Sequence, residues 1–429
     1  MKRKLEEKLL AWKNSSSRMP LIVDGARQVG KTYVLRKFGT EHYRNMVYIN
    51  LEVNPSIANS FETDIDPERI VQHLEAFSRE RILPGETLIF FDEIQSAERV
   101  LTSLKYFCEQ APQYHIAAAG SLLGVAINRK KYSYPVGKVD TITLHPMDFE
   151  EFLWANGEGS LADMIRQHCH EILEMPQVFH ERALEYYRTY LVTGGMPAVV
   201  NAYIDTSSLI LVPDVQRKIM NGYIADMARY ATPGEAVKIR ACYDSIPAQL
   251  AKENHKFQYK VVRRGGTAAL FGEAIDWLAL AGIVQKCSNI DQGNDPIAVY
   301  ANLANFKLYM GDVGMLTMKS GISQHAVLTG EDSPFLGAVA ENYTAQALAS
   351  NGYDLYYWTS KNTAELDFVV QKEGVITAIE VKKGLHTQSK SLTMFIRQYG
   401  PDRAIRLSSK NFGKAEGFSS IPLYAAFCV

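Results

Sequence analysis

Short apolar runs alternate with segments of helical periodicity over roughly the first 155 residues. Runs of branched and aromatic side chains predict buried strands. The runs are Leu21–Val23, Met46–Leu51, Leu88–Phe91, His115–Gly120 and Val139–Leu144. Alternating strands and helices predict an α/β fold with a parallel sheet covered on both faces. Before the first strand, Leu5, Leu9, Leu10 and Trp12 predict the buried side of an amphipathic helix.

Beyond residue 155 the apolar side chains recur mainly at helical spacing. Glu181–Leu191 and Val215–Tyr230 are predicted helices. Gly194-Gly195-Met196-Pro197 should end the first of them sharply. Such a break is typical of a turn between two packed helices, and the sequence therefore predicts a helical middle region.

The C-terminal part of the chain returns to predicted strands. In chain order it contains a helix at Phe335–Ser350, strands at Leu355–Trp358, Ala364–Val370 and Val375–Lys382, and a helix at Leu392–Tyr399. Because side chains alternate along a strand, Glu365, Asp367 and Val369 should share one face. The pattern predicts a second α/β region.

Composition narrows the class of protein without identifying it. The chain has 429 residues, of which 47% are hydrophobic and 22% charged, an ordinary globular composition for about two to three domains. A net charge of -1 implies that any basic surface is local. Five cysteines without a C-x-x-C pair predict reduced thiols in a cytoplasmic protein. No signal peptide or membrane helix is predicted.

One glycine-containing segment carries a specific chemical pattern. Its residues are Gly25, Ala26, Arg27, Gln28, Val29, Gly30, Lys31 and Thr32, a full match to G-x-x-x-x-G-K-[ST]. An apolar strand precedes the segment and a predicted helix, Tyr33–Phe38, follows it, so backbone N–H groups should face an anion. Lys31 is predicted to reach the β- and γ-phosphates and Thr32 to bind Mg²⁺.

A second segment complements this phosphate-binding loop. The apolar run Leu88–Phe91 ends in Asp92 and Glu93, which is typical of a Walker B strand. Asp92 would hold Mg²⁺, and Glu93 would accept a proton from the attacking water. The strand Met46–Leu51 lies between the two motifs in the chain, which favours the P-loop class with an additional central strand. Ser121 follows the fourth strand and is either a polar γ-phosphate sensor or a small turn residue.

Several segments together resemble a bacterial and archaeal group of AAA-like P-loop ATPases, described as ATP-binding proteins with a C-terminal domain of unknown function. The segments are Gly25–Thr32, Asp92–Gln95, Ala118–Leu123, Leu144–Phe152, Thr193–Pro197, Phe306–Tyr309 and Asp312–Gly314. The resemblance covers nearly the whole chain and implies ATP as the nucleotide. Many members have an arginine where this chain has Lys138. Lysine is a point charge, so any transition-state role is weakened here or moved, with Arg129 the nearest alternative.

A basic segment follows the helical middle region. Lys238–Lys286 contains eight Lys and Arg against four Asp and Glu, a balance of +4, with the highest density in Lys252–Arg264. Predicted helices Ala241–Glu253 and Thr267–Ala281 flank that centre, and an extended segment follows at Ile283–Lys286. This order resembles a winged helix.

A winged helix could bind duplex DNA, with Lys256, Lys260, Arg263 and Arg264 on phosphates. The alternatives are a protein-docking module and a merely solvated face.

The C-terminal element order resembles the PD-(D/E)XK nuclease core. Asp367 and Glu380 would be hard oxygen ligands for Mg²⁺, with Glu341 as a further ligand. Lys382 would lie on the same strand face as Glu380 and orient a water or offset charge. The alternative is a surface E-x-K pattern, since Glu331–Val429 has ten acids and ten bases and offers no net attraction to DNA.

The predicted organisation has four parts. They are an AAA-like P-loop domain at 1–155, a helical linker or lid at 156–235, a winged-helix-like domain at 236–325 and a restriction-endonuclease-like α/β domain at 326–429. The leading hypothesis is Mg²⁺-dependent ATP hydrolysis coupled to the C-terminal region. The alternatives are a nucleotide-dependent switch that docks a protein partner with little hydrolysis, and a DNA-processing or defence nuclease licensed by ATP.

Overall fold

The computed structural model describes residues 1–63, 65–121, 134–253, 255–331, 333–360, 364–384 and 389–429. The chain divides into two compact units. The first unit consists of residues 2–145 and 280–282, and the second unit of residue 1, residues 146–279 and residues 283–429. None of the helices in the described ranges is long and apolar enough to cross a membrane.

The first unit is a parallel sheet with helices. Its strands are β1 (Leu21–Asp24), β2 (Asn45–Asn50), β3 (Thr87–Asp92), β4 (His115–Ala119) and β5 (Asp140–Thr143). Its helices are α1 (Leu5–Asn14), α2 (Lys31–His42), α3 (Pro55–Thr63), α4 (Pro67–Ser78) and α5 (Glu98–Gln110), with a 3₁₀ turn at Ile94–Ser96. All five predicted strands are confirmed, and β3 and β4 are buried along their whole length, as continuous apolar runs require.

The predicted additional central strand is confirmed, but it is a different strand from Met46–Leu51. The strands lie in the order β2-β3-β4-β1-β5, and every neighbouring pair is parallel. The predicted strand Met46–Leu51 corresponds to β2, which lies at the sheet edge. The strand between β1 and β3 is instead β4. Chain order alone does not reveal this, because strands that are distant in the chain can be neighbours in a sheet.

Helix α1 is amphipathic as predicted, with one exception. Leu5, Leu9 and Trp12 are buried, whereas Leu10 is 41% exposed. Successive residues of a helix are rotated by about 100°, so the Leu10 side chain points about 100° away from Leu9 and does not share its buried face. The assignment of Leu10 to the buried side was therefore wrong.

Helices dominate the second unit before its sheet. They are α6 (Phe149–Ala155), α7 (Gly159–Glu171), α8 (Gln177–Thr193), α9 (Pro197–Thr206), α10 (Val212–Tyr230), α11 (Pro233–Leu250), α12 (Tyr259–Val262) and α13 (Ala268–Leu280). The predicted break separates α8 from α9. Gly194 has a φ of 68°, and a Cβ on Gly195 would lie 1.8 Å from the Met147 carbonyl oxygen. The Asp312 carboxylate accepts a hydrogen bond from the Gly195 N–H at 2.6 Å.

The second unit also contains an eight-stranded mixed sheet. Its strands are β6 (Val284–Ile290), β7 (Ala301–Met310), β8 (Tyr356–Thr359), β9 (Glu365–Lys372), β10 (Val375–Val381), β11 (Arg403–Ser408), β12 (Gly413–Ala415) and β13 (Phe418–Pro422). Helices α14 (Val313–Ser320), α15 (Gln324–Thr329), α16 (Phe335–Ser350) and α17 (Lys390–Tyr399), and 3₁₀ turns at Ile297–Tyr300 and Leu423–Cys428, complete the unit. The sheet order is β12-β13-β11-β10-β9-β8-β6-β7.

The C-terminal elements follow the predicted helix–strand–strand–strand–helix order as α16-β8-β9-β10-α17. Strands β8, β9 and β10 are antiparallel neighbours, and β11 then pairs with β10 in parallel. Strand β6 pairs with both β7 and β8, so the domain boundary predicted at residue 325 crosses a continuous sheet. The boundary was predicted from patterns within neighbouring segments of the chain. The pairing of β6 with β8 instead joins residues that are far apart in the chain.

Candidate functional site

The phosphate-binding loop lies between β1 and α2, as predicted. Gly25 and Gly30 have φ angles of 128° and 99°, in the left-handed range that favours glycine. At Gly25 a Cβ would lie 2.2 Å from the carbonyl oxygen of Leu144, so no side chain fits there. Gln28 also has a positive φ, 67°. The glycines of the motif therefore serve the backbone turn and the close approach of a neighbouring segment.

Lys31 is the first residue of α2 and is 8% exposed. Its ammonium donates hydrogen bonds of 2.8 Å to the carbonyl oxygens of Gly25 and Ala26. Burial lowers the pKa of Lys31 to about 8, although the carboxylates of Glu93, Asp24 and Asp92 act in the opposite direction. An anion such as a phosphate that binds beside this ammonium would favour its charged form.

Thr32 and Asp92 form a direct pair. The Thr32 hydroxyl lies 3.1 Å from Oδ1 and 3.0 Å from Oδ2 of Asp92. The hydroxyl of Tyr48 on β2 donates to Oδ2 of the same carboxylate at 3.0 Å. Asp92 is largely buried, so these polar contacts also satisfy a carboxylate with little exposure to solvent. A hydroxyl and a carboxylate side by side are hard oxygen donors of the kind that Mg²⁺ prefers.

Glu93 follows Asp92 in a left-handed conformation, with φ at 55°. Non-glycine residues in this region are uncommon, and such backbone outliers cluster at functional sites. The Glu93 carboxylate accepts a hydrogen bond of 2.5 Å from the side-chain amide of Gln95. The strand end therefore presents two acids in different settings, Asp92 bound to Thr32 and Glu93 held by Gln95.

The remaining residues of the loop, Ala26, Arg27 and Val29, are buried or half-buried. Ala26 and Val29 are buried. Arg3, itself 3% exposed, donates to the Val29 carbonyl at 2.8 Å and to the His145 carbonyl at 2.7 Å, which fixes the loop to another segment of the first unit. Arg27 is half-buried.

Ser121 is buried directly after β4. The N–H of the preceding residue, Gly120, donates to the carbonyl of Val23 at 3.3 Å, next to the start of the loop. Its role as a γ-phosphate sensor stays a prediction.

Lys138 and Arg129 are the two candidates for stabilising charge in the transition state, and the structure describes only the first of them. Lys138 forms an ion pair of 3.0 Å with Glu109, with its side chain 40% exposed. Arg129 lies outside the described residues. The lysine at the position of the group's arginine is thus bound to a surface carboxylate in this structure.

In the second unit, a buried lysine occupies the predicted nuclease-like site. Lys307 on β7 is fully buried, and its ammonium lies 2.7 Å from Glu341 Oε1 and 2.7 Å from Glu365 Oε1. His255 Nδ1 lies 2.6 Å from Glu341 Oε2, and the Tyr309 hydroxyl donates to Oε1. Both oxygens of Glu341 are therefore engaged by protein groups.

These contacts determine the charge states of the cluster. Burial disfavours the charge on Lys307, but the carboxylates of Glu341, Glu365 and Asp367 outweigh burial and raise its pKa. Burial likewise opposes the charge on Glu341, yet Lys307 and His255 lower its pKa well below the ordinary value. Burial, reinforced by the Glu341 charge, raises the pKa of Asp367 to about 7. The cluster is thus built around a lysine cation.

The other predicted ligands are also engaged. Asp367 Oδ2 accepts a hydrogen bond of 2.7 Å from the Val381 N–H. Glu380 is buried at the end of β10, and its Oε1 lies 3.4 Å from the Lys382 ammonium. Across the described ranges, no group of three or more His, Cys, Asp or Glu side chains is arranged to hold a metal ion. A joint metal site of Glu341, Asp367 and Glu380 stays a prediction from the sequence, and Lys307 contacts one of these residues, Glu341.

The centre of the basic segment, Lys252–Arg264, lies between α11 and α13, with α12 inside it. Lys260, Arg263 and Arg264 are exposed and Lys256 is half-buried. Arg263 and Arg264 line a cleft of about 400 Å³ together with Lys238, Val237 and Leu270. The exposed charged side chains of α13 are Glu273 and Asp276, so this helix does not carry the positive charge of the segment.

Comparison with known protein families supports the interpretation of the first unit. Residues 17–153 match a family described as AAA domain. The first unit contains an AAA-like P-loop domain. Residues 184–326 and 336–425 match two families described as domains of unknown function, DUF8612 and DUF4143. No curated protein matches this chain.

Three solved structures illustrate how distant the structural similarity is. The Walker-type ATPase PABY2304 of Pyrococcus abyssi is 16% identical with a TM-score of 0.44, covering 74% of this chain and 95% of that one. The ORC2 protein of Aeropyrum pernix is 12% identical with a TM-score of 0.38, covering 76% and 91%. The RuvB Holliday junction branch migration motor of Thermotoga maritima is 14% identical with a TM-score of 0.31, covering 66% and 89%. With TM-scores this low, function has to be inferred from the site itself.

Several site residues were not found from the sequence. In the AAA-like domain these are Arg3, Tyr48 and Gln95, each of which reaches the site through a side-chain hydrogen bond. Asp24 is another: it ends β1, its Oδ1 has no hydrogen-bond partner among the described residues, and burial raises its pKa. One signal was available for Lys307 in the second unit, because a lysine stands inside the apolar run Phe306–Met310.

Proposed function

We propose that this protein binds Mg-ATP at the AAA-like domain and hydrolyses it slowly. The observation that carries the proposal is the direct pairing of the Thr32 hydroxyl with the Asp92 carboxylate beside the Lys31 ammonium. Each group has the chemistry that a triphosphate and its metal require, and all three lie where β1 and β3 end.

Lys31 would bind the phosphates. Its ammonium now donates to two loop carbonyls, and it can exchange these neutral acceptors for phosphate oxygens, which form stronger charge-assisted hydrogen bonds. The N–H groups at the start of α2 would add further donors. Residues Gly25 to Thr32 would thereby bind ATP mainly through its phosphates.

Thr32 and Asp92 fit Mg²⁺. When bound, the ion would neutralise charge on the phosphate oxygens. Tyr48 orients the Asp92 carboxylate through its hydrogen bond, and Thr32 is kept next to it.

Glu93 would act as the general base. Its carboxylate can accept a proton from water, and its left-handed backbone sets the direction of the side chain at the end of β3. With Lys138 paired to Glu109, we propose that intrinsic turnover is slow.

The test is steady-state phosphate release from Mg-ATP by the full chain, compared with Glu93→Gln. Removal of a general base should reduce turnover by about 10²- to 10⁴-fold while ATP still binds. Glu98→Gln, an exposed acid at the start of α5, is the matched control and should retain full turnover. Nucleotide binding without turnover in the unmodified protein would sink the hydrolysis proposal and favour a switch.

We propose contact with duplex DNA as a second, separate function of the basic segment. Three exposed cations, Lys260, Arg263 and Arg264, support it, as does the helix order α11-α12-α13 followed by the antiparallel β6–β7 hairpin. Since α13 exposes Glu273 and Asp276, contact with phosphates is favoured over base recognition.

Duplex binding should weaken steeply with salt. A double substitution of Arg263 and Arg264 by glutamine should lower the salt slope by roughly 2, since each phosphate contact contributes about 1. Arg397→Gln, an exposed arginine of α17, is the control. Equal binding by the double variant and the control would move the assignment to a protein-docking role.

A further inference from the structure

The carboxylate cluster of the second unit contains its own cation. Lys307 is fully buried, and its ammonium contacts carboxylates from two other elements, Glu341 on α16 and Glu365 on β9. Both contacts are 2.7 Å, the distance of a charge-assisted hydrogen bond. A lysine is rarely this deeply buried unless it is paired.

Each of the surrounding carboxylates already has a protein partner. Glu341 is bound through one oxygen by Lys307 and Tyr309 and through the other by His255. Asp367 accepts the Val381 N–H. Glu380 is paired with Lys382 through Oε1, whereas its Oε2 is buried without a hydrogen-bond partner among the described residues.

We propose that the Lys307 ammonium is the resident cation of this cluster and takes the place of the divalent metal that the nuclease-like element order predicts. The carboxylates of Glu341 and Glu365 bind the ammonium, and a second, divalent cation beside it would be repelled at close range. Removal of the ammonium would leave buried carboxylates that a divalent ion can neutralise.

This assignment has a chemical consequence. A bound divalent metal lowers the pKa of a coordinated water and so supplies a nucleophile near neutral pH. An ammonium has no vacant orbital with which to coordinate a water, so it cannot lower the pKa of a water in this way. The cluster would therefore join β7, α16 and β9 without supporting metal-dependent phosphodiester cleavage.

The test counts Mn²⁺ ions bound to the full chain without nucleotide, from the electron paramagnetic resonance signal of free Mn²⁺. The unmodified protein is compared with Lys307→Met and with Lys372→Met, which changes an exposed lysine on β9. We expect Lys307→Met to bind one more Mn²⁺ per chain than the other two proteins. Adding Glu365→Gln to Lys307→Met should remove that ion. Weak Mn²⁺ binding at Thr32 and Asp92 would be the same in the unmodified protein and in every variant, so it does not affect the difference between their Mn²⁺ counts.

Two results would overturn the proposal. One is a Mn²⁺ ion in the unmodified protein that is lost on Glu365→Gln or Asp367→Asn. The other is a folded Lys307→Met protein that binds no additional Mn²⁺. Should Lys307→Met fail to fold by circular dichroism, plasmid cleavage by the unmodified protein decides. Mn²⁺-dependent cleavage that Asp367→Asn abolishes would refute a resident ammonium, and its absence would support one.

Discussion

The buried Lys31 should make ATP affinity depend on pH in a range where an ordinary lysine would not. With its pKa at about 8, the Lys31 side chain is about nine-tenths protonated at pH 7 and about one-tenth at pH 9. Only the ammonium binds phosphate oxygens well, so the apparent Kd scales inversely with the protonated fraction. The Kd should therefore rise about tenfold from pH 7 to pH 9, a loss of about 1.4 kcal/mol.

The direction of this pH dependence follows from the burial of Lys31. Desolvation disfavours the ammonium, so the charge is lost as pH rises through about 8, below the ordinary lysine value of 10.5. Titration of metal-free ATP by isothermal calorimetry at several pH values measures the effect. Lys31→Arg is the control, because a guanidinium stays charged over the whole range and its Kd should be flat. A flat profile for the unmodified protein, or an equal rise in Lys31→Arg, would refute the reasoning.

Three further substitutions test the site and the fold. Thr32→Val should keep metal-free ATP binding but lose roughly tenfold or more of the affinity gained with Mg²⁺, as calorimetry with and without the ion would show. Gly195→Ala should lower the free energy of unfolding in urea by about 3 kcal/mol, because its Cβ would meet the Met147 carbonyl. Asp312→Ala should lower the same quantity by about 2–4 kcal/mol, since it removes a helix cap and the partner of the buried Gly195 N–H. The exposed Asp214→Ala should change it by less than about 0.5 kcal/mol, and an equally small effect of Asp312→Ala would contradict the assigned role.

The local chemistry of the AAA-like domain was predictable from the sequence. Glycine spacing, the Lys31–Thr32 pair and the flanking apolar run specify a strand–loop–helix unit, because each depends on residues that are close in the chain. The run Leu88–Phe91 likewise specified a buried strand that ends at Asp92. The same holds for the order of the C-terminal elements, which follows from local hydrophobic periodicity.

The tertiary structure decided which side chains meet. Asp92 receives Tyr48 from the edge strand β2, and β4 rather than β2 lies between the two motif strands. In the second unit, Lys307 meets Glu341 and Glu365 across three elements, which places a buried lysine beside a carboxylate, Glu341, that the sequence predicted as a metal ligand. Hydrophobic pattern and motif spacing predict the secondary structure of a segment and the chemistry that its side chains can perform. The electrostatic partner of a buried charge depends on strand pairing and helix packing between distant segments, and that information is not local to any stretch of the sequence.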